Sequence, residues 1–198
     1  MKASAIIHTR PIHSGWIAGI SHVPSPNFSL RPTMADVSLI VVHNISLPPR
    51  QFGTGDILRF FQNQLDYCRD PFYQQIKDLR VSAHFFINRA GEITQLVATC
   101  HRAWHAGVSS YKNRNNCNDY SIGIELEGDD DSPFEESQLR ALANLSRRLI
   151  AIYPAVKTPQ GLRITGHADI SPRRKTDPGP YFDWQGFSAE VGSVCLRS

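Results

Sequence analysis

The stretch Val-Ser-Leu-Ile-Val-Val at residues 37–42 is apolar at every position except Ser38, and it ends at His43. A strand with one solvated face would alternate between apolar and polar residues, so this run predicts a strand that is covered on both faces. Such a strand lies at the centre of a layered fold, with helices packed against a sheet. The stretch therefore predicts an α/β or α+β protein.

The residues on either side supply the other elements of such a fold. Helices are predicted where apolar residues recur three and four apart, and strands where they alternate with polar ones. The predicted strands are 81–87 and 93–97, which form a hairpin, 120–127, which carries Glu125 on its polar face, and 163–165. The predicted helices are 56–65, 71–79 with Pro71 at its start, a long helix that ends before Pro154, and 184–196.

The start of the long helix has its own signals. Ser132 is predicted as the N-cap, Pro133 as the first helical residue and Glu135 as the capping-box partner. The helix then presents one apolar stripe, made of Leu139, Leu142, Leu145, Leu149 and Ile152.

The chain length predicts a single domain, because 198 residues are enough for one core but few for two. Prolines at 11, 24, 26 and 32 predict that residues 1–30 form an irregular segment packed on the core, with the domain spanning 31–198. The net charge of +3 comes from dispersed residues, which argues against a nucleic-acid or membrane partner. No obligate protein partner is indicated.

Cysteine spacing and the N-terminus bear on the compartment. The four cysteines, Cys68, Cys100, Cys117 and Cys195, form no C-x-x-C pair, so reduced thiols are expected rather than a disulfide frame or a cysteine zinc cluster. The apolar stretch after Lys2 is interrupted by His8 and Arg10, which is too short for a secretory signal. A cytoplasmic location is therefore expected.

Candidate chemistry lies near the predicted strand ends. His43 follows the first strand, His167 follows residues 163–165, and Asp177 lies in the next loop. Two histidines and an aspartate are suitable zinc ligands, and three protein ligands leave a position for a reactive water. Spacing alone does not prefer this set over one that uses His84, His101 or His105. No H-E-x-x-H motif is present, which disfavours an ordinary zincin protease.

Five strings resemble a family of zinc amidases that includes phage lysozyme-like amidases and peptidoglycan recognition proteins. They are VVHNIS at 41–46, RVSAH at 80–84, RAWHAG at 102–107, SIGIELEG at 121–128 and RKTDPGP at 174–180. The resemblance runs in order from about Gly15 to Phe187. It implies a mixed sheet flanked by helices and one zinc ion held by His43, His167 and Asp177.

The resemblance also implies a reaction and its residues. Glu125 would transfer the proton, and Lys175 would face the developing oxyanion. The substrate cleft would contain Asn44, Arg80, Trp104 and His105, and Arg80 would be suited to pair with a stem-peptide carboxylate. Trp104 is equally suited to be a core residue. His84 and His105 could be packing residues. The implied substrate is the amide between an (anhydro-)N-acetylmuramoyl group and L-alanine of a recycled muropeptide, with an indirect effect on β-lactamase induction. The alternatives are a non-catalytic peptidoglycan-binding module and an exported amidase.

Overall fold

A computed structural model describes residues 15–32 and 35–192. Its strands are β1 (Ser21–His22), β2 (Phe28–Leu30), β3 (Leu39–Ile45), β4 (Phe85–Ile87), β5 (Ile93–Gln95), β6 (His101–Ala103), β7 (Ser110–Tyr111), β8 (Arg114–Asn115), β9 (Ser121–Glu127), β10 (Lys157–Thr158), β11 (Gly161–Leu162) and β12 (Ile164–Gly166). Its α-helices are α1 (Asp56–Phe61), α2 (Pro71–Ile76), α3 (Glu136–Ile152), α4 (His167–Ile170) and α5 (Trp184–Gly192).

The central sheet has six strands in the order β1-β5-β4-β9-β3-β12. Only the β4–β5 hairpin is antiparallel, so the sheet is mixed, as the family resemblance implies. Strand β3 lies between β9 and β12 and is parallel to both, which confirms it as a central strand.

Both faces of the central strands are covered. Ile40 and Val42 of β3 join the core that includes Leu142 and Leu145 of α3. Leu39 and Val41 point to the other side and pack in a second core with Ala106, Cys117, Tyr120 and Ile170. The prediction from residues 37–42 is therefore confirmed, and the α3 stripe is buried at Leu142, Leu145 and Leu149.

Several predicted boundaries were wrong. Strand β3 continues through His43 to Ile45, because β9 pairs with it residue by residue as far as Glu127. Helices α1 and α2 end at Phe61 and Ile76, short of the predicted 65 and 79. Strand β4 begins only at Phe85, since residues 81–84 have no regular strand structure. The predicted hairpin with β5 is nevertheless present.

The start of α3 also differs from the prediction. The helix begins at Glu136, with Glu135 as its N-cap. Ser132 instead donates its hydroxyl to Asp129 at 2.8 Å, and the backbone N–H of Glu135 donates to Gln138 at 3.1 Å. Phe134, between them, is buried in the core.

The ends of the described chain add two short strands and one helix. Residues 15–30 are more regular than predicted, because β1 joins the central sheet and β2 pairs with β6. The closing helix is present as α5, while residues 193–196 of the prediction and Cys195 lie outside the described residues. Cys68 and Cys117 form no disulfide. Within residues 15–32 and 35–192, no helix has the length and apolar character needed to cross a membrane.

Candidate active site

The sheet brings the predicted residues together at the carboxyl ends of three parallel strands. Register pairs His43 of β3 with Glu125 of β9, so their side chains project from the same face. On the other side of β3, Gly166 pairs with Val42, and His167 follows directly as the first residue of α4. The carboxyl edge of parallel strands is where ligands bind in open α/β sheets.

Asp177 reaches this edge from the loop after α4. The backbone N–H of Ala168 donates to the carbonyl of Asp177 at 2.9 Å, which fixes the loop beside the helix start. A Cβ atom at Gly166 would lie 2.7 Å from Cδ of Pro178. Glycine is therefore needed at 166 for the loop to approach and for Asp177 to face the two histidines.

The three predicted ligands converge closely. Nδ1 of His43 lies 3.0 Å from Nδ1 of His167, and Oδ2 of Asp177 lies 2.9 and 3.1 Å from these two nitrogens. Within the described part of the chain this is the one group of three or more His, Cys, Asp or Glu residues that could hold a metal ion. Tetrahedral zinc with bonds of ~2.0–2.1 Å would separate its ligand atoms by about 3.3 Å, so the donor set fits.

The second nitrogen of His167 determines which of its atoms faces the site. Nε2 lies 3.1 Å from the carbonyl oxygen of Ala106, which can only accept a hydrogen bond. Nη2 of Arg174 is also 3.3 Å from Nε2, but it makes three shorter contacts to oxygens. We therefore place the proton on Nε2, which leaves the Nδ1 lone pair facing the carboxylate of Asp177. Two acceptors in contact call for a cation between them.

The local electrostatics of His43 and Asp177 favour the protonation states that could bind a metal ion. Burial lowers the pKa of His43 to about 4, against the opposing effect of Asp177, so the imidazole is neutral near pH 7. Burial opposes ionisation of Asp177, but protons on the adjacent His167 and His43, which a bound cation would replace, outweigh burial and hold the pKa of the carboxyl well below its usual value. A neutral imidazole and a carboxylate are the forms that bind metal.

Glu125 differs from the three candidate ligands, because it is buried without a hydrogen-bonding partner for Oε2 among the described residues. Burial raises the pKa of its carboxyl well above the usual value, the charge of Asp177 raises it further, and Lys175 opposes both. A buried carboxyl with a raised pKa beside a possible metal site is suited to taking up and releasing a proton.

Lys175 lies in the same cleft, two residues before Asp177. Its side chain is exposed. The cleft has a volume of about 340 Å³ and contains all three ligand candidates together with Glu125 and Lys175. Its lining also includes a set of apolar residues, namely Phe60, Phe61, Phe72, Ile76, Leu79 and Val81.

Comparison with known proteins identifies the family. A family model described as N-acetylmuramoyl-L-alanine amidase matches residues 33–180, more than half of the chain. The chain belongs to this family. The prediction of an amidase is thereby confirmed.

Relatives of this amidase cover nearly all of its length. It is 46% identical to 1,6-anhydro-N-acetylmuramyl-L-alanine amidase AmpD of Haemophilus influenzae, over 92% of this chain and 97% of that protein. The crystal structure of a selenomethionine AmpD derivative has a TM-score of 0.85 and 50% identity, covering 90% of this chain and 98% of that one. Escherichia coli AmiD, in complex with the substrate anhydro-N-acetylmuramic acid-L-Ala-D-γ-Glu-L-Lys, has a TM-score of 0.56 and 31% identity over 81% of this chain and 60% of that one.

The four residues predicted in the substrate cleft of the amidase have different surroundings. Trp104 is half-buried and lines the cleft, while its indole N–H donates to Ser29 at 3.3 Å. Asn44 lines it too, although its side-chain amide donates to Asp130 and to the carbonyl of Pro178. Arg80 is exposed, and its guanidinium donates to carbonyls of its own segment, at Lys77 and Leu79.

His105, the fourth of these residues, is buried behind His43 and uses both ring nitrogens. Nδ1 lies 2.9 Å from Nε2 of His43, and Nε2 lies 3.1 Å from the hydroxyl of Ser121. Two other candidate ligands make contacts outside this group, since the ring of His101 stacks on Phe28 with centroids 4.7 Å apart. Nδ1 of His84 accepts from the backbone N–H of Gly123, and its Nε2 contacts the carbonyl of His101.

Sequence reasoning missed three residues that contact His105, whose ring lies next to the candidate ligand His43. Ser121 and Gly123 contact His105 and lie on the same face of β9 as Glu125. Oδ1 of Asn118 accepts from the backbone N–H groups of His105 and Ala106. The alternation along residues 121–127 was a signal for Ser121 and Gly123. It placed them on the same strand face as Glu125, and that face borders the candidate site.

Proposed function

We propose that the protein is a zinc-dependent amidase that hydrolyses the bond between the lactyl carbonyl of an (anhydro-)N-acetylmuramoyl group and L-alanine of the stem peptide. The convergence of His43, His167 and Asp177 supports the requirement for a metal ion, because their facing atoms lie within 3.1 Å of one another. At least two of these atoms, Nδ1 of His167 and Oδ2 of Asp177, are acceptors. An ion bound by all three residues would relieve this contact.

The donor set suits one zinc ion, since imidazole nitrogen and carboxylate oxygen are both common zinc ligands. When bound there, zinc would polarise the amide carbonyl and lower the pKa of a water molecule. The remaining steps belong to side chains of the protein.

Glu125 would accept the proton of the attacking water and return it to the amine nitrogen of L-alanine as the carbon–nitrogen bond breaks. Its raised pKa supports this role, because a carboxyl that ionises nearer neutrality accepts and gives up a proton more evenly. The Oε2 atom, which has no hydrogen-bonding partner among the described residues, would be available for that proton.

Lys175 would stabilise the negative charge that develops on the carbonyl oxygen. Its position two residues before Asp177 keeps it at the cleft, and it makes no ion pair with a described residue. A fixed positive charge there favours the tetrahedral state over the planar amide.

The names and complexes of relatives support the substrate. The Haemophilus influenzae relative is named for the 1,6-anhydro-N-acetylmuramyl-L-alanine bond, and AmiD was solved with an anhydromuramoyl tripeptide. In this chain the apolar residues that line the cleft would contact the sugar, and Asn44, Trp104 and His105, which line the same cleft, would lie near the reacting bond. Arg80 does not line the cleft, but it is exposed and lies between the lining residues Leu79 and Val81 in the sequence, and it would pair with a stem-peptide carboxylate.

We further propose that the reaction serves cytoplasmic peptidoglycan recycling. The relatives named for the anhydro sugar support this, since that sugar marks muropeptides released from the wall. By removing such muropeptides, the enzyme would indirectly affect β-lactamase induction. Fractionation of cells that produce the full-length protein would test the compartment, and activity recovered with a periplasmic marker would contradict it.

The reaction can be tested with zinc-loaded protein and anhydromuramoyl tripeptide in water enriched in ¹⁸O. Mass spectrometry should detect free tripeptide and anhydromuramic acid with the label in its lactyl carboxylate. His167→Ala should lose both bound zinc and product, whereas His22→Ala, an exposed histidine outside the cleft, serves as the matched control. Intact substrate after incubation with zinc-replete protein would refute the proposal.

A further inference from the structure

A chain of hydrogen bonds leads from His43 away from the metal-binding atoms and into the core. Nε2 of His43 lies 2.9 Å from Nδ1 of His105, and Nε2 of His105 lies 3.1 Å from the hydroxyl oxygen of Ser121. That hydroxyl donates to the backbone carbonyl of Cys117 at 2.6 Å. All three side chains are buried, and Ser121 has no exposed surface.

The end of this chain fixes its direction. A carbonyl oxygen carries no proton, so the single hydroxyl proton of Ser121 points to Cys117. The Ser121 oxygen must then accept from His105, which places the proton of that neutral imidazole on Nε2. Nδ1 of His105 is left as an acceptor for the N–H at Nε2 of His43. A neutral imidazole has only one ring proton, so Nδ1 of His43 keeps its lone pair, which is directed at His167 and Asp177.

The backbone holds His105 in the middle of the chain. A Cβ atom at Gly123 would lie only 2.4 Å from Cγ of the His105 ring, so the missing side chain at 123 makes the space that the ring occupies. The main chain of His105 is held as well, because Asn118 accepts from its backbone N–H at 3.1 Å. The ring therefore has little freedom to turn away from Ser121 or His43.

We propose that Ser121 is a positioning residue for the metal site and acts through His105. By accepting the hydrogen bond from Nε2 of His105, Ser121 selects the tautomer of His43 that presents a lone pair at Nδ1. Without Ser121, His105 could place its proton on Nδ1, where it would face the Nε2 proton of His43. His43 would then avoid the clash by moving its own proton to Nδ1, the atom that binds metal. This inference rests on the zinc site proposed above.

The tautomers can be read directly in the parent protein by long-range ¹H–¹⁵N correlation spectra of its histidine rings. We expect His105 and His43 to be protonated at Nε2, both in the zinc-loaded protein and after chelation. A proton on Nδ1 of His105 would overturn the proposal. If the parent binds no zinc, the proposed function fails, while the tautomers in the same spectra still test the hydrogen-bond chain.

Two matched serine variants test the effect on the metal. Ser121→Ala should weaken zinc binding by ~10- to 100-fold, the usual effect of losing a partner behind a ligand, and should change the His105 tautomer signals. Ser146→Ala is the control, because Ser146 is equally buried but its hydroxyl has no hydrogen-bonding partner among the described residues. Zinc dissociation constants are measured by competition with a chelator. Equal affinities in the two variants would overturn the proposal.

A double substitution separates action through His105 from general destabilisation. Once His105→Ala has removed the ring, adding Ser121→Ala should leave zinc affinity nearly unchanged, because the path to His43 is already broken. Losses that multiply would show that Ser121 does not act through His105 and would refute the mechanism.

Discussion

Two buried glutamates on one face of β9 should respond in opposite ways to the same substitution. Glu125 is 8% exposed and Glu127 is 3% exposed, and because they are two positions apart on the strand they lie on the same face. Oε2 of Glu125 has no hydrogen-bonding partner among the described residues. The oxygens of Glu127 accept from the backbone N–H groups of Gly53 at 2.5 Å and Arg89 at 3.1 Å. Changing each to glutamine therefore removes a different kind of interaction.

Glu125→Gln should reduce turnover by ~10²- to 10⁴-fold, the contribution expected of a general base, and should leave zinc bound. Stability should not fall. Because the pKa of Glu125 is raised in the fold, its carboxyl favours folding below the unfolded pKa and loses that advantage as pH rises through the folded value. At pH 8 the folded state contains a poorly solvated carboxyl, so the neutral amide should be at least as stable.

Glu127→Gln should instead lower the free energy of unfolding by ~1–3 kcal/mol, because the new NH₂ group would face one of two backbone donors. For a chain of this size, that loss corresponds to a fall in Tm of about 2–12 °C. Turnover should stay within a few-fold of the parent. Thermal unfolding is measured after chelation, and steady-state kinetics with zinc restored and quantified. Near-parental turnover in Glu125→Gln, or an equally deep loss in both variants, would refute the assignment of proton transfer to Glu125.

Three further predictions concern the charge of Lys175, the response to pH and the metal. Lys175→Met should lose ~10²- to 10³-fold in turnover, as for one oxyanion partner, with zinc content unchanged; steady-state kinetics with full activity would remove Lys175 from the mechanism. Burial holds the pKa of His84 well below 6.5, so the unfolded state binds more protons and the free energy of unfolding should fall as pH drops below 6.5. Urea titrations at several pH values should show a shallower fall for His84→Gln than for the parent. An unchanged slope of unfolding free energy against pH would contradict this. Zinc at ~1,000 times its Kd should stabilise the fold by about 4 kcal/mol, raising Tm by about 8–16 °C in calorimetry; equal Tm values before and after chelation would show that no such site exists.

Apolar patterning predicted the central strands because their burial depends mainly on their own side chains. Element ends depended on partners that lie far away in the sequence. Strand β3 extends to Ile45 only because β9 continues beside it. Likewise, α3 begins late because Phe134 is buried against Phe182, with ring centroids 5.8 Å apart. Neither contact is visible in the local pattern.

The candidate site was predictable in composition but not in assembly. Residue types and spacing suggested a histidine and aspartate site, yet left His84, His101 and His105 as alternatives. Strand register separates them: His43 lies on β3 beside Glu125, whereas Nδ1 of His84 accepts from the backbone of Gly123. Because residues 43 and 167 are distant in sequence, only the parallel pairing of β3 with β12 brings them together.

The polar face of β9 explains why the chemistry lies where it does. All seven residues of the strand are buried, so each polar group on it loses hydration and needs a partner. Ser121 contacts His105, Gly123 makes room for the same ring, and Glu127 binds two backbone N–H groups. Glu125 alone on this face has a buried oxygen without a described partner. A fold that satisfies its neighbours but leaves this atom unpaired keeps a group available for a proton that arrives with the substrate and water.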